Sequence, residues 1–322
     1  VVKSLQIQIL DVNDPRYGGF YEPTGIVQAK FSIYRVASMT ACYLNRDTAY
    51  YHDEKIKERI MLGLGYIRKV QHENGLFDYV TCNFYSAPDT AFCIKKLLPL
   101  YMLMDKKHEE GTICECEKEL YTCIGEIVRK GACGMLEGGF HTPNHRWAIA
   151  SVLMTAWKLF RDERLKAAAE EYLKEGIDCN EDGEFAEKSA GNYNRINNDA
   201  MIMLTDTTGD TFYEECAVRN LKMMLTYIEP DGSIFTANST RFDKDHVCWP
   251  KDYYIEYLRM GIKYEIPEFL QFANRIFEIV DETHITSPDF LIWYMIYPEL
   301  RRFEYEDAPR TTRKTSWPAW LH

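Results

Sequence analysis

The feature that most constrains this chain is helical hydrophobic spacing that recurs in one segment after another, with little room between segments. Apolar residues three and four positions apart mark predicted helices over 25–44, 54–70, 89–104, 115–130, 144–160, 163–175, 194–207, 210–227, 251–260, 267–280 and 288–297. Short connections make consecutive helices antiparallel neighbours, so the pattern reads as helical hairpins and not as alternating strands and helices. The expected fold class is all-α: an α/α toroid of helical hairpins, complete or incomplete. A linear helical solenoid would share the pattern. Residues 1–23 stand apart as an irregular N-terminal segment with a strand-like alternation at Leu5, Ile7 and Ile9. The expected layout is that segment, a toroid over 24–300 and a C-terminal tail over 301–322.

A turn recurs between the predicted helices. Asn74-Gly75-Leu76-Phe77 returns in kind as Gly138-Gly139-Phe140, as Asp182-Gly183-Glu184-Phe185 and as Asp231-Gly232-Ser233-Ile234-Phe235. Glycine permits a positive φ, Asn or Asp bonds its own backbone, and the aromatic that follows can plug a core. Polar and aromatic residues gather after each turn, where the next helix begins. They are Asn83, Tyr85 and Asp89; His141, Asn144, His145, Arg146 and Trp147; Glu187, Tyr193, Asn194 and Arg195; and Asn238 and Arg241. If alternate helices form an inner ring, these N-termini converge on one rim and present free N–H groups to an anion.

Composition narrows the partners. The formal net charge of −11, with no long run of Lys and Arg, argues against nucleic acid and anionic membranes. No apolar stretch approaches the roughly 20 residues of a membrane span, and no segment resembles a signal peptide. Aromatics make up 14 % of the chain, with 22 Tyr, which suits stacking against sugar rings as well as packing between helices. The ten cysteines are scattered, and the spacing of Cys114 and Cys116 supports neither a zinc site nor a disulfide framework. Cys42, Cys93 and Cys123 read as small core residues. The expected compartment is the cytoplasm, or the exterior if a leader has been trimmed, and no cofactor or metal is expected.

Three segments carry candidate chemistry. In Gly138-Gly139-Phe140-His141-Thr142-Pro143-Asn144-His145-Arg146-Trp147, Pro143 suits a helix start and Asn144 could be a simple cap. Yet consecutive side chains there can bind a carboxylate or a sugar ring. In the segment from Asp182 to Asn194, Tyr193 follows Gly191 and polar residues, a setting that suits a cleft and proton transfer as well as packing over a loop. In the third, Arg241 could clamp a carboxylate through its planar fork or be a surface arginine.

At these residues the chain resembles the heparinase II/III-like superfamily and the related alginate and oligoalginate lyases. The matching pieces are Thr142-Pro143-Asn144-His145-Arg146-Trp147, the Asp182-Gly183, Glu187, Ser189 and Tyr193 segment, and Asp231-Gly232-Ser233. The helical pattern extends the likeness over about 24–297. The resemblance implies an α/α toroid acting on uronate-containing glycans, with a β-sandwich region beyond it that residues 301–322 would begin.

That implies β-elimination: a base removes the C5 proton of a uronate and the C4–O bond breaks. Asn144, His145 and Arg146 or Arg241 would neutralise the carboxylate where charge develops. Tyr193 would protonate the leaving oxygen, or act as base if ionised, and Glu187 would orient His145 or an Arg. Trp147, His141, Asn194 and Asp89 complete the expected substrate contacts. A glycoside hydrolase needs two carboxyl groups, and Asp89 and Glu187 are the available pair. A helical scaffold that binds a glycan or protein, with its rim residues serving only as caps, is the non-enzymatic alternative. The expectation most open to test is that Asn144, His145, Glu187 and Tyr193 face one cleft.

Overall fold

A computed structural model describes residues 1–140, 142–279 and 288–302, grouped in two compact units. The first unit holds residues 1–174 and 287–296; the second begins at Glu175. The first carries α1 (Val2–Ile7), α2 (Ala29–Leu44), α3 (Glu54–Val70), α4 (Ala87–Glu109), α5 (Glu115–Gly134), α6 (Pro143–Phe160), α7 (Glu163–Leu173) and α12 (Leu291–Ile296). A short antiparallel pair, β1 (Phe77–Tyr79) and β2 (Asn83–Ser86), precedes α4. The second carries α8 (Tyr193–Thr208), α9 (Thr211–Leu225), α10 (Tyr254–Lys263) and α11 (Pro267–Ile279). The class is all-α, as the periodicity requires.

Within the first unit, α2 pairs with α3, α4 with α5 and α6 with α7, while α2, α4 and α6 also pack on one another in series. The composition of each layer follows from this. α6 buries an almost unbroken run from Trp147 to Ala156 because it is apolar all round. Its partner α7 buries only Leu165 and Ala169 and turns charge to solvent. In α3 the buried positions Ile56, Ile60, Gly63, Leu64 and Ile67 form a single stripe, opened by an Asp53 cap that accepts from the Ile56 amide at 3.0 Å.

The recurring turn is a real structural unit with a different membership from the one expected. At His72 the amide donates to the Leu76 carbonyl at 3.0 Å and the Gly75 amide returns to the His72 carbonyl at 2.9 Å. The same two bonds close Asn180–Glu184, at 3.0 and 3.1 Å, and Glu229–Ser233, both at 2.8 Å. Gly75, Gly183 and Gly232 sit at φ of 93°, 92° and 90°. A fourth copy, which the sequence conceals behind Pro23-Thr24-Gly25, closes Glu22–Ile26 with φ of 81° at Gly25. Gly138, at φ of 136°, does not form this turn. Two of the turns are docked, because a Cβ at Gly75 would strike the Lys130 carbonyl of α5 and one at Gly183 the backbone of Arg219 in α9. Side chains pin the same junctions: Gln71 Nε2 donates to the Ile127 carbonyl at 3.1 Å and Asn220 Nδ2 to the Gly183 carbonyl at 2.8 Å.

Several expectations need correction. Residues 2–7, expected to belong to an irregular segment with a strand-like alternation, form α1. α2 begins at Ala29 and not at residue 25, since Gly25 belongs to the turn. The helix expected over 251–260 is a 3-10 turn, Pro250–Tyr253, that runs into α10. The stretch over 288–297 breaks into short pieces flanking α12. Cys114 and Cys116 are joined as a disulfide, which their spacing alone did not suggest. Of the expected 301–322 tail, residues 303–322 lie outside the described residues.

Gly75→Ala and Gly183→Ala should each cost more than Gly25→Ala, whose Cβ would meet nothing within 4 Å. Backbone strain alone should cost about 1 kcal/mol at Gly25, and the added clash about 1–3 kcal/mol more at the docked pair. Denaturant midpoints of the three variants check this ordering.

Candidate functional sites

In the first unit the opening turns of α2, α4 and α6 contribute polar groups. Lys30 at the start of α2 pairs with Asp89 of α4 at 2.9 Å, and its ammonium lies 4.3 Å from the Tyr79 ring centroid and 5.3 Å from that of Phe92. Burial works against the Lys30 charge, but Tyr34 and Asp89 outweigh it and hold the group above its ordinary value. Asp89 is also part of the α4 cap. The Ser86 hydroxyl donates to it at 2.7 Å and accepts from its amide at 3.2 Å, a reciprocal capping arrangement. The His145 ring meets Phe92 and Phe140 edge-on, with centroids 5.7 and 5.9 Å away.

Asn144 and Arg146 are buried, with Arg146 4.0 Å over the Trp147 ring. Trp147 is 0 % exposed, so its ring is core and offers no face for a sugar in this conformation. His141 lies outside the described residues. Lys30 was absent from the sequence reading. A lone lysine in the first turn of an apolar helix has no motif around it, and only the packing of α4 on α2 reveals its partner.

The second unit builds a denser constellation from two loops and the start of α8. Asp243, 1 % exposed, accepts from the Ser189 hydroxyl at 2.7 Å, the Ser239 hydroxyl at 2.7 Å and the Gly191 amide at 3.0 Å. A buried carboxylate with three donors ties the 185–193 loop to the 236–246 loop. Gly191 is required by close approach, since a Cβ would come within 2.6 Å of Cys248 Sγ and 2.9 Å of Asp243 Oδ2. Ser189 also accepts from the Tyr193 amide at 3.1 Å, which sets the entry to α8.

On this frame Arg241 Nε donates to Glu187 Oε1 at 2.9 Å, and Thr240 donates to the Glu187 carbonyl at 2.8 Å. Glu187 is buried, whereas the Arg241 side chain is 37 % exposed. The Tyr193 ring meets Phe242 edge-on at 5.9 Å. Burial first, and the nearby Glu187 and Asp243 charges, raise the Tyr193 phenol above its ordinary value of 10.0, while Arg241 opposes them. The phenol therefore keeps its proton at neutral pH.

Below this frame, α8 carries Asn194, Asn197 and Asn198 on one buried face, each 0 % exposed. Asn194 Nδ2 reaches Met224 Sδ, and Asn198 Nδ2 bonds Asn220 Oδ1 at 2.9 Å and Glu256 Oε2 at 3.2 Å. Among the described residues, neither polar atom of the Asn197 amide has a hydrogen-bond partner. Such groups are costly in a dry core, so this face suits a bound water or hydroxyl. Asn194 was anticipated; Asn197 was not, although Asn194, Asn197 and Asn198 at helical spacing are a legible signal.

Of the anticipated residues, Glu187, Tyr193 and Arg241 thus come together in the second unit. His145 and Asp89 lie around Phe92 and Lys30 in the first, where Asn144 also belongs. No helix among the described residues is long and apolar enough to cross a membrane.

No protein-family model and no curated protein sequence matches the chain. Solved structures do resemble it. One, a D-mannose isomerase, aligns with a TM-score of 0.52 at 12 % identity, covering 94 % of this chain and 96 % of its own. Another, a sugar epimerase from a ruminal bacterium, aligns with a TM-score of 0.56 at 11 % identity, covering 94 % and 96 %. At that coverage the likeness shows the fold, an α/α toroid of helical hairpins.

Removing the Asp243 carboxylate should loosen both loops. Asp243→Ala should speed hydrogen exchange at the Gly191 and Tyr193 amides by at least tenfold, because three donors lose a buried acceptor worth about 1–3 kcal/mol each. Unchanged exchange by mass spectrometry would mean that Asp243 does not hold the loops.

Proposed function

We propose that this chain is a carbohydrate-active enzyme that works by proton transfer, with β-elimination at a uronate as its reaction. The observation that carries the reading is the grouping of a protonated phenol, Tyr193, with the Glu187–Arg241 pair on a frame fixed by Asp243. Arg241 is the proposed clamp for the uronate carboxylate. Its Nε is held by Glu187 and its partly exposed fork remains to meet an anion. The raised Tyr193 phenol suits the acid that protonates the leaving oxygen and does not suit the base. A general base that takes the C5 proton completes the proposed step, and imidazole is the ordinary neutral-pH group for that role.

The hydrolase reading is weaker. Asp89 is engaged by Lys30 and the α4 cap, and Glu187 by Arg241, so each carboxylate already has a structural partner. A sugar isomerase or epimerase is the stronger second reading, favoured by the activities named for the two similar structures. It too moves a proton next to a carbonyl-derived centre, but its product has the mass of its substrate.

Incubation with a panel of uronate oligosaccharides and neutral sugars separates the readings. Elimination should yield fragments bearing a conjugated, ultraviolet-absorbing uronate whose masses sum to that of the substrate. Tyr193→Phe should lower kcat by about 100- to 10,000-fold while changing KM much less. A product of unchanged mass carrying solvent deuterium would replace elimination by isomerisation, and fragments with an added water would replace it by hydrolysis.

The pH dependence has a defined sign. Tyr193 acts protonated and its group is raised, so the alkaline fall in kcat should lie above pH 10. Glu187→Gln removes a charge that raises the phenol and leaves Arg241, which lowers it, so the fall should move to lower pH. A profile that stays fixed or moves upward in this variant would remove Tyr193 from the acid role.

A further inference from the structure

The proposed sugar chemistry makes no use of a cluster at the start of α5. Cys114 caps this helix and Cys116 lies in its first turn, and their sulfurs are joined. His52 lies beside them at the entrance to α3. Its Nδ1 is 3.5 Å from Cys116 Sγ, and one ligand atom from each of the three residues lies within 4.8 Å of the others. We infer that Cys114, Cys116 and His52 form a zinc site when the disulfide is reduced.

The imidazole is held as a metal-binding histidine is held. Its Nε2 meets Glu117 Oε1 at 3.0 Å, and that carboxylate is fully buried and also bonded by Lys107. An imidazole whose second nitrogen is bonded to a carboxylate keeps its first nitrogen directed at a metal. The ring stacks on Tyr51 with centroids 3.9 Å apart, and the His52 amide donates to the Tyr43 carbonyl at 3.1 Å. Tyr43 in turn donates to the Cys116 carbonyl at 3.4 Å, so ring and helix start share one anchor.

The distances suit the ion. Tetrahedral zinc with Zn–S of about 2.3 Å and Zn–N of about 2.0 Å separates sulfur from nitrogen by about 3.5 Å. The Cys116–His52 separation already has that value. Two thiolates and one imidazole form a donor set that selects zinc over the oxygen-seeking cations. The N-terminal end of α5 adds partial positive charge that favours thiolates. All three residues are partly exposed, which leaves the fourth position to water or an outside ligand.

Formation of the site requires an external dithiol as reductant. The dithiol gives two electrons and two protons to the Cys114–Cys116 bond and becomes a disulfide itself. Zinc then displaces the protons from the two thiols. A small-molecule disulfide, itself reduced to two thiols, takes two electrons from the thiolates, closes the Cys114–Cys116 bond and expels the ion, so zinc occupancy reports the local redox state.

The full chain, reduced with a dithiol without oxygen and then freed of it, is titrated with Zn2+ against a chromophoric chelator. The reduced protein should take up one Zn2+ per chain more than C114S/C116S, which controls for the other cysteines. His52→Ala should weaken binding at least tenfold, with circular dichroism confirming that both variants are folded. Co2+ in place of Zn2+ should show a thiolate charge-transfer band that C114S/C116S lacks. The disulfide form of the wild type should not take up this extra ion. The proposal is overturned if reduced wild type binds no more Zn2+ than C114S/C116S, if His52→Ala binds as tightly as wild type, if the Co2+ band is absent, or if the disulfide form binds equally well.

Discussion

The architecture depends on one backbone constraint, a four-times repeated turn that only a residue tolerant of φ near +90° can close. At 22, 72, 180 and 229 the same pair of hydrogen bonds reverses the chain in the same way. At Gly75 and Gly183 the bare α-carbon also lies directly against an outer helix, α5 or α9, of the hairpin that follows. Each of these turns is thus both the exit from one hairpin and the seat of the next. Gln71 and Asn220 satisfy backbone carbonyls at those seats, which spares the buried junction an unpaired polar group.

This constraint also decides where polar chemistry can sit. Helices such as α6 are buried over most of their length and have no room for charge along their shafts. Their first turns are different, because N–H groups there lack helical partners and side chains from preceding loops come close. Lys30, Asp89 and His145 all lie in such first turns, as does Tyr193 in α8. The exception is the Asn194, Asn197 and Asn198 face of α8, where amides continue into the core. Each amide there costs stability unless something pairs with it, as Asn220 and Glu256 do with Asn198.

Ion pairs in the second unit illustrate how one loop prepares another. Asp243 gathers three donors and touches no candidate catalytic atom, yet it fixes Ser189, Gly191 and Ser239 and thereby the stations of Tyr193 and Arg241. Glu187 then orients the guanidinium. A cation held at one nitrogen loses side-chain freedom before any ligand arrives, which is what the proposed clamp role of Arg241 calls for.

The sequence by itself determined the fold class, most helix positions and the glycine turns, because hydrophobic period, caps and positive φ are local properties written in adjacent residues. The bounds of α3 match the periodicity, and Gly75, Gly183 and Gly232 share one conformation, for that reason. It also brought Glu187, Tyr193 and Arg241 forward as candidates, since polar and aromatic residues beside Gly-rich turns are conspicuous. Only the tertiary structure decided which of them touch. The Arg241–Glu187 pair, the Asp243 knot, the Lys30–Asp89 contact and the burial of Trp147 all join residues far apart in the chain or depend on what packs over them. Cys114 and Cys116 show the limit most sharply: two residues apart in sequence, they acquire a chemical meaning only because α3 and α5 bring His52 and Glu117 beside them.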